Sequence, residues 1–402
     1  MKLVKQLAVT ACAAAMFATA AHADSIKVGS AGGVTGPIAE LVATIVKGRD
    51  LARDQINAEG GLLKGDKLEM VIGDSACDPK AAVDAVGKLV NVEQVVGIVG
   101  PSCSGATNAS VQAVTIPAGV AVLSDSATAP SVTELKDNDT VFRVAPSDAY
   151  QGLAIAQLVN KAGIKKVAMT YSNDDYNAGI AKVFEEEFKK MGGEVTANQA
   201  HEPNKASYRS ELQTLTQGGP EAIAIFAYYG SSGITIIKNS LENGLFGKFF
   251  AADGMFDQSV IDQIGADNLK GNIQITQASS DTADASYQAF AEAFKATGAD
   301  PAAPYAAHGY DATFMMALAI EKAGAADRAK IKDALRAISD GKGEVVRPGD
   351  WAKAKKLIAD GKDINYEGAS GSADFDENGD VSGVFAVNVV GDDGKWAKEL
   401  LK

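Results

Sequence analysis

Val95-Val96-Gly97-Ile98-Val99-Gly100 runs straight into Pro101-Ser102-Cys103-Ser104. Gly119-Val120-Ala121-Val122-Leu123 likewise runs into Ser124-Asp125-Ser126-Ala127-Thr128-Ala129-Pro130. Both apolar runs are short and do not alternate with polar residues. That is the signature of a strand buried on both faces of a parallel sheet. Parallel strands need a long crossover, and Ser104–Thr115 lies between the runs to supply a helix.

The same rhythm extends in both directions. Upstream, Ser25–Ser30 reads as a strand. Ile38, Leu41, Ile45, Ala52 and Ile56 follow at helical spacing, with Pro37 in the first turn and Gly60-Gly61 as a stop. Lys67–Gly73 is a second strand and Lys80–Val90 a second helix. Downstream, Val141–Ala145 closes this unit and a similar one begins. It has a helix over Gln151–Lys161, a strand over Lys166–Tyr171, and strands over Glu194–Gln199, Ile223–Ala227 and Phe249–Ala252. Ile180, Phe184, Phe188 and Met191 form a helical stripe, read as core. From about Asp281 the pattern is helical: Tyr287–Ala296, Tyr305–Ala323, Arg328–Ser339 and Trp351–Ala359. In the tail, Asn378-Gly379 and Asp393-Gly394 are hairpin signals on either side of a strand over Val384–Val390. The expected fold class is α/β, with two successive mainly parallel units.

The 402 residues are too many for one ordinary core and suit two domains. With 46% apolar and 22% charged residues the chain is globular. A formal charge of −13 argues against a nucleic-acid partner, which calls for a basic stripe. Residues 1–23 read as an export signal: Lys2 and Lys5, an apolar run from Leu7 to Ala21, and Ala21-His22-Ala23 before a cleavage point. Val9-Thr10-Ala11-Cys12 loosely resembles a lipid-attachment box, although few apolar residues precede Cys12. Cleavage after Ala23 leaves 379 residues and, without Lys2 and Lys5, a charge of −15. Of the three cysteines only Cys77 and Cys103 then remain, and export makes a disulfide the simple prediction, two buried thiols being the alternative.

Several motifs fail on inspection. Asp374-x-Asp376-x-Asn378-Gly379 opens like a calcium loop, but its twelfth position is Phe385 instead of a bidentate Glu, so a hairpin turn is expected. Gly100–Gly105 is not a nucleophile elbow. A hydrolase using Ser102 or Ser104 would need His201 or His308 as base, and both histidines are isolated in sequence. There is no Walker A sequence, and Ala31-Gly32-Gly33 does not make a dinucleotide fingerprint. No cofactor, metal site or catalytic residue is expected.

Ligands of parallel α/β sheets bind beyond the carboxyl ends of strands. One unit offers small donors there, Ser102, Ser104, Ser126 and Thr128. The other offers Tyr176, Tyr228-Tyr229 and Asp253. Donors facing an acid and aromatic rings suit a zwitterion with an apolar side chain.

Together with Thr35-Gly36-Pro37-Ile38-Ala39, Asp74-Ser75-Ala76-Cys77-Asp78-Pro79 and Tyr310-Asp311-Ala312, these segments resemble the periplasmic leucine/isoleucine/valine-binding family, the receptors of branched-chain amino acid ABC transporters. The resemblance implies two Rossmann-like lobes joined by three crossings, with a monomeric receptor closing on its ligand. The crossings would lie near Val144-Ala145-Pro146, Ile275-Thr276-Gln277 and Ser370-Gly371-Ser372. The N-terminal lobe would hold 24–145 and 276–370, and the C-terminal lobe 146–275 and 371–402. It also implies a Cys77–Cys103 bridge. Ser104 and Thr128, helped by the backbones of Ser102 and Ser126 and flanked by Ala127, would hold the ligand carboxylate. Asp253 would pair with its ammonium, and Tyr176 with either Tyr228 or Tyr229 would close over it. The implied partner is a membrane permease and the implied place the periplasm. Three features depart from the family pattern: Asp253 replaces a Glu, Leu41 replaces an aromatic residue, and 341–368 is an added segment. Related proteins of this architecture bind aromatic acids or amides.

Overall fold

The computed structural model describes residues 24–401; the export signal read over 1–23 lies outside them. The first sheet comprises β1 (Ser25–Gly32), β2 (Lys67–Asp74), β3 (Gly97–Val99), β4 (Ala121–Ser124) and β5 (Val141–Arg143), in the order β2-β1-β3-β4-β5. Every pairing in it is parallel. The two apolar runs became its central strands for the expected reason. Val99, Ala121 and Leu123 face one hydrophobic cluster, and Ile98 and Val122 face another on the opposite side.

The second sheet begins with β6 (Lys166–Ser172), β7 (Glu194–His201), β8 (Ala222–Phe226), β9 (Phe249–Ala251) and β10 (Ile273–Ser279), again all parallel. The Ile180, Phe184 and Phe188 stripe lies on the helix Asp175–Lys190 and is fully buried against it. β10 does not break at Ile275-Thr276-Gln277 but stays in this sheet to Ser279.

The late helices return to the first sheet. Ala306–Ala323 is buried along nearly its whole length and crosses the helix Ala39–Ala58. The backbones meet at Gly48 and Gly309. A Cβ on Gly48 would lie 2.1 Å from the Ala306 carbonyl oxygen, and one on Gly309 2.4 Å from that of Ile45. This close crossing sets the position of Tyr305, immediately before the helix. The added segment forms a two-stranded parallel pair, β11 (Glu344–Val346) and β12 (Ile364–Tyr366), around the helix Trp351–Ala359. Trp351 anchors it: the ring meets Phe314 edge-on, and Nε1–H donates to the Gly61 carbonyl.

The tail rejoins the second sheet as β13 (Val384–Val390), antiparallel to β10, and β14 (Trp396–Leu400), antiparallel to β13. The sheet order is β14-β13-β10-β9-β8-β6-β7. Asp393-Gly394 is the hairpin turn between them, as expected. Asn378-Gly379 is a turn but not a hairpin, because no strand precedes it. The Asp376 carboxylate accepts from the N–H groups of Asn378 and Asp380 and closes the turn on itself. Asp380 is drawn away into an ion pair with the buried Arg143 at 2.7 Å. The α/β class and its two mainly parallel sheets are as expected. Cys77 and Cys103 form a disulfide, with Cα atoms 5.5 Å apart.

Candidate functional site

The carboxyl ends of β3 and β4 carry two loops stitched together by side chains. Arg49, fully buried on its helix, donates through Nε to Asp125 Oδ2 (2.8 Å), through Nη1 to Ser30 Oγ (2.9 Å) and through Nη2 to Ser102 Oγ (3.0 Å). Ser102 Oγ in turn donates to Asp125 Oδ1. An ion pair out of reach of water gains little net stability, because desolvation offsets its attraction, but leaving either partner alone costs several kcal/mol. The pair therefore holds its geometry, and with it the β3 and β4 loops. Ser126 Oγ donates to the Ser102 carbonyl (2.8 Å), and the Ala129 N–H donates to Ser104 Oγ (3.1 Å). Arg143, besides pairing with Asp380, donates to the carbonyls of Ala127 and Ala129.

The second unit supplies the facing wall. Asp253 follows β9 in a single 3-10 turn and is buried. Its Oδ1 accepts from Gln151 Nε2 (2.7 Å) and the Tyr176 hydroxyl (3.0 Å), and its Oδ2 from the Tyr305 hydroxyl (2.8 Å). Burial raises its pKa, and the three donors pull it back. The rings of Tyr176 and Tyr228 stack with centroids 5.4 Å apart. Burial, followed by the nearby carboxylates, pushes the hydroxyls of Tyr176, Tyr228 and Tyr305 well above the usual phenol range, so all three are protonated donors.

Ser102, Ser104 and Ser126 on one side, and Tyr176, Tyr228 and Asp253 on the other, line one cavity. Tyr305 closes it, and Ile38 and Leu41 form its apolar wall. Ala127 and Thr128 lie buried behind the serine loop, where the Thr128 hydroxyl donates to Asp148 (3.0 Å). Tyr229 turns away toward the backbone of Glu40 and Leu41, where burial pushes its hydroxyl up to about 12. Tyr228, not Tyr229, thus faces the cavity. The units meet across the cleft: Asn108 Nδ2 donates to Asp175 Oδ2 (2.8 Å), and Gly230 sits against Pro37.

Sequence reasoning missed Gln151, Tyr305 and Asp148. Gln151 and Tyr305 lie at positions read only as helix, and no local pattern marks them. Asp148 follows Pro146-Ser147, and Ser147 caps the helix Asp148–Lys161. That signal places a helix start but says nothing of what the acid faces. His201 bonds Thr170 Oγ1 and Ser232 Oγ, and His308 packs on Tyr305. Neither histidine is a hydrogen-bond partner of Ser102 or Ser104 among the described residues. Among these residues no group of three or more His, Cys, Asp or Glu could hold a metal ion, and no helix is long and apolar enough to cross a membrane.

Two α/β units closing on a small polar cavity with an apolar wall define a ligand-binding receptor. The chain belongs to the family described as the receptor family ligand binding region, whose family model matches residues 48–391. It is 31% identical over 316 residues to the leucine-, isoleucine-, valine-, threonine-, and alanine-binding protein of Pseudomonas aeruginosa, covering 78% of this chain and 83% of that one. Among solved structures it is similar to the branched-chain amino acid transporter substrate binding protein LivJ of Streptococcus pneumoniae in complex with isoleucine. There the identity is 28% and the TM-score 0.77, over 94% of this chain and all of the other. The leucine binding protein LivK of Thermotoga maritima is similar at 26% identity and a TM-score of 0.78, over 93% of this chain and 97% of that one. These likenesses agree with the resemblance carried by the sequence motifs.

Proposed function

We propose that this protein is the solute-binding receptor of an ABC importer. It takes a small neutral amino acid between its lobes and delivers it to a membrane permease. The observation that carries this reading is the cavity itself. A buried Asp253 carboxylate faces a serine loop in which the Ser104 hydroxyl, an acceptor from the Ala129 N–H, keeps its own proton to donate, and Ile38 and Leu41 supply an aliphatic wall. That arrangement complements an α-ammonium, an α-carboxylate and an aliphatic side chain at once. The names of the relatives point to branched-chain residues, threonine and alanine as ligands. Ser104, which lines the cavity, is the carboxylate anchor, with Thr128 behind the same loop tied to Asp148; Asp253 is the ammonium partner, and Tyr176 and Tyr228 close over the ligand. Binding needs no bond-making step. The ligand bridges both walls and so favours the closed arrangement over an open one.

The lobes in this reading are 24–145 with the helices of 281–367, and 146–279 with 384–401. These bounds follow β10 to its end and give the Asp376–Asp380 turn to the third crossing. The protein acts as a monomer in the periplasm after cleavage at Ala23, without a cofactor or a nucleic-acid partner.

A thermal-shift panel tests this. L-leucine, L-isoleucine, L-valine, L-threonine and L-alanine are compared with benzoate and acetamide. A ligand present at 100 times its Kd adds about 2.7 kcal/mol of stability. Stabilisation by at least one of the five amino acids is expected. Stabilisation by benzoate alone would retain the carboxylate anchors and reject the ammonium site. Stabilisation by none of the carboxylates would reject the reading.

A further inference from the structure

A second small cavity lies where the second sheet passes into the late helices. The end of β10 and the residue after it supply Gln277, Ser279 and Ser280, the late helices supply Tyr287 and His308, and β14 supplies Lys398. Its volume is about 40 Å3. One water needs roughly 10–15 Å3 on that measure, so the space suits one small ion or a few waters and excludes an amino acid.

The polar side chains that line it can all donate. Gln277 Oε1 accepts from Asn388 Nδ2 (3.1 Å), which also donates to the Ile275 carbonyl (3.3 Å). These bonds fix both amides and leave Gln277 Nε2 to donate on its other side. The hydroxyls of Ser279, Ser280 and Tyr287 have no hydrogen-bond partner among the described residues, although all three residues are buried. Lys398 Nζ gives one proton to the Ala302 carbonyl (3.1 Å) and forms no ion pair among the described residues. Asp300, the acid that acts on it, turns its carboxylate to the Ala302 N–H (2.9 Å). Burial of the amine lowers the Lys398 pKa, the mark of a cation short of a counter-charge. Burial, followed by the charge of Lys398, holds His308 neutral, with its pKa lowered to about 3, so Lys398 is the one cation lining the cavity. No Asp or Glu lines it, in a chain that has 51 of them. Water would accept some of these protons but leave the ammonium unmatched; an anion answers both.

We propose that this cavity binds one halide-sized anion, chloride in solution, between Lys398 and the hydroxyls of Ser279, Ser280 and Tyr287. The lining joins the two units. Lys398 belongs to the second sheet, and Tyr287 to the core that covers the first. An anion held by both ties them together and favours the closed arrangement over an open one. Tyr305 walls this cavity and the ligand cavity alike, and there its hydroxyl donates to Asp253. Anion and amino acid therefore strengthen each other's binding by the same factor. Only this linkage rests on the proposed function; the anion site does not.

The test uses the purified protein in sodium gluconate, whose anion is too large for the cavity, with chloride or bromide exchanged in at constant ionic strength. A saturable rise in melting temperature with either halide is expected. Lys398→Met should abolish it, and Tyr287→Phe, which removes only a hydroxyl, should weaken halide binding roughly threefold or more. A rise that is absent, does not saturate, or is equal in the parent and Lys398→Met overturns the proposal. Crystals grown in sodium bromide should show an anomalous peak within hydrogen-bond reach of Lys398 Nζ. A cavity holding only water, or bromide on the surface as an adventitious ion only, overturns it too. Should Lys398→Met not fold, Tyr287→Phe and the bromide peak still decide. Calorimetry with whichever of the five amino acids binds should give about fivefold tighter binding in chloride than in gluconate, and no difference in Lys398→Met. Equal affinities in the parent overturn the linkage. If no amino acid binds, the proposed function fails, and the halide measurements still judge the site.

Discussion

Asp253→Asn removes one charge from the cavity and changes its shape little. Asp253 accepts three hydrogen bonds, from Gln151, Tyr176 and Tyr305. An asparagine keeps one acceptor, and its amide can donate to either tyrosine oxygen. Burial raises the pKa of Asp253, so the native anion is itself costly. The variant is therefore expected to fold with stability within about 1 kcal/mol of the parent. Binding is another matter, because a ligand ammonium enclosed by the cavity loses water and needs a negative partner. Removing one member of a buried, hydrogen-bonded charge pair costs about 2–5 kcal/mol. About 3 kcal/mol corresponds to a Kd raised roughly 150-fold. Calorimetry with L-leucine and with 4-methylpentanoate, which is leucine without its ammonium, reads this directly. The parent should prefer leucine, and the variant should lose that preference. Equal leucine affinity in parent and variant would refute the pairing, and with it the amino-acid half of the proposed function.

Gly230→Val tests closure. A Cβ at Gly230 would lie 2.4 Å from the Pro37 carbonyl oxygen across the cleft. We expect unchanged ligand-free stability, leucine affinity lowered about tenfold or more, and no contraction in solution scattering on adding ligand; normal contraction would show that the lobes close differently. The double variant Cys77→Ala/Cys103→Ala opens a loop with a sequence separation of 26, which on chain entropy costs about 3.5 kcal/mol, read by urea unfolding. A loss under about 1 kcal/mol would count against that account. Burial, followed by Lys205, lowers the pKa of His201 to about 4. Burial, followed by Lys398, lowers that of His308 to about 3. Both values lie below the ordinary 6.5, so the stability from neutral histidine is whole above pH 6.5 and drains as pH falls toward 4 and 3, by up to ~1.4 kcal/mol per pH unit for each. Asp148 and Asp253, whose pKa values are raised, work in the opposite sense over the acidic range. The histidine share is therefore read as a difference: His201→Gln should lose less stability than the parent between pH 6.5 and 4, and an equal loss would refute it.

The strands at the heart of each sheet were legible because a strand buried on both faces needs an unbroken apolar run, and that need is local. Val95–Gly100 and Gly119–Leu123 carry it in their own composition. The core stripe Ile180, Phe184 and Phe188 was legible for the same reason, through its period. The disulfide was expected from counting the cysteines beyond the stretch read as an export signal, and the serine loops and Asp253 were picked out by the rule that ligands meet the carboxyl ends of parallel strands. The remaining features depend on contacts between distant segments. Tyr228 and Tyr229 are neighbours with the same chemistry, and only the fold turns one to the cavity and the other to Glu40 and Leu41. Tyr305 reaches Asp253 because Gly48 and Gly309 let two helices cross closely, 52 residues along the chain from the acid it touches. Asn378-Gly379 has a hairpin signature but makes a plain turn, because no strand precedes it, and the next residue, Asp380, pairs with Arg143 from far away in sequence. Asp148 carries no signal of its own, since Thr128 and Asp253, the groups that surround it, come from distant segments of the chain. Local sequence determined which elements form and which chemistry the strand ends carry. Tertiary structure decided which side chains share the cavity, because burial and charge depend on neighbours that only folding brings together.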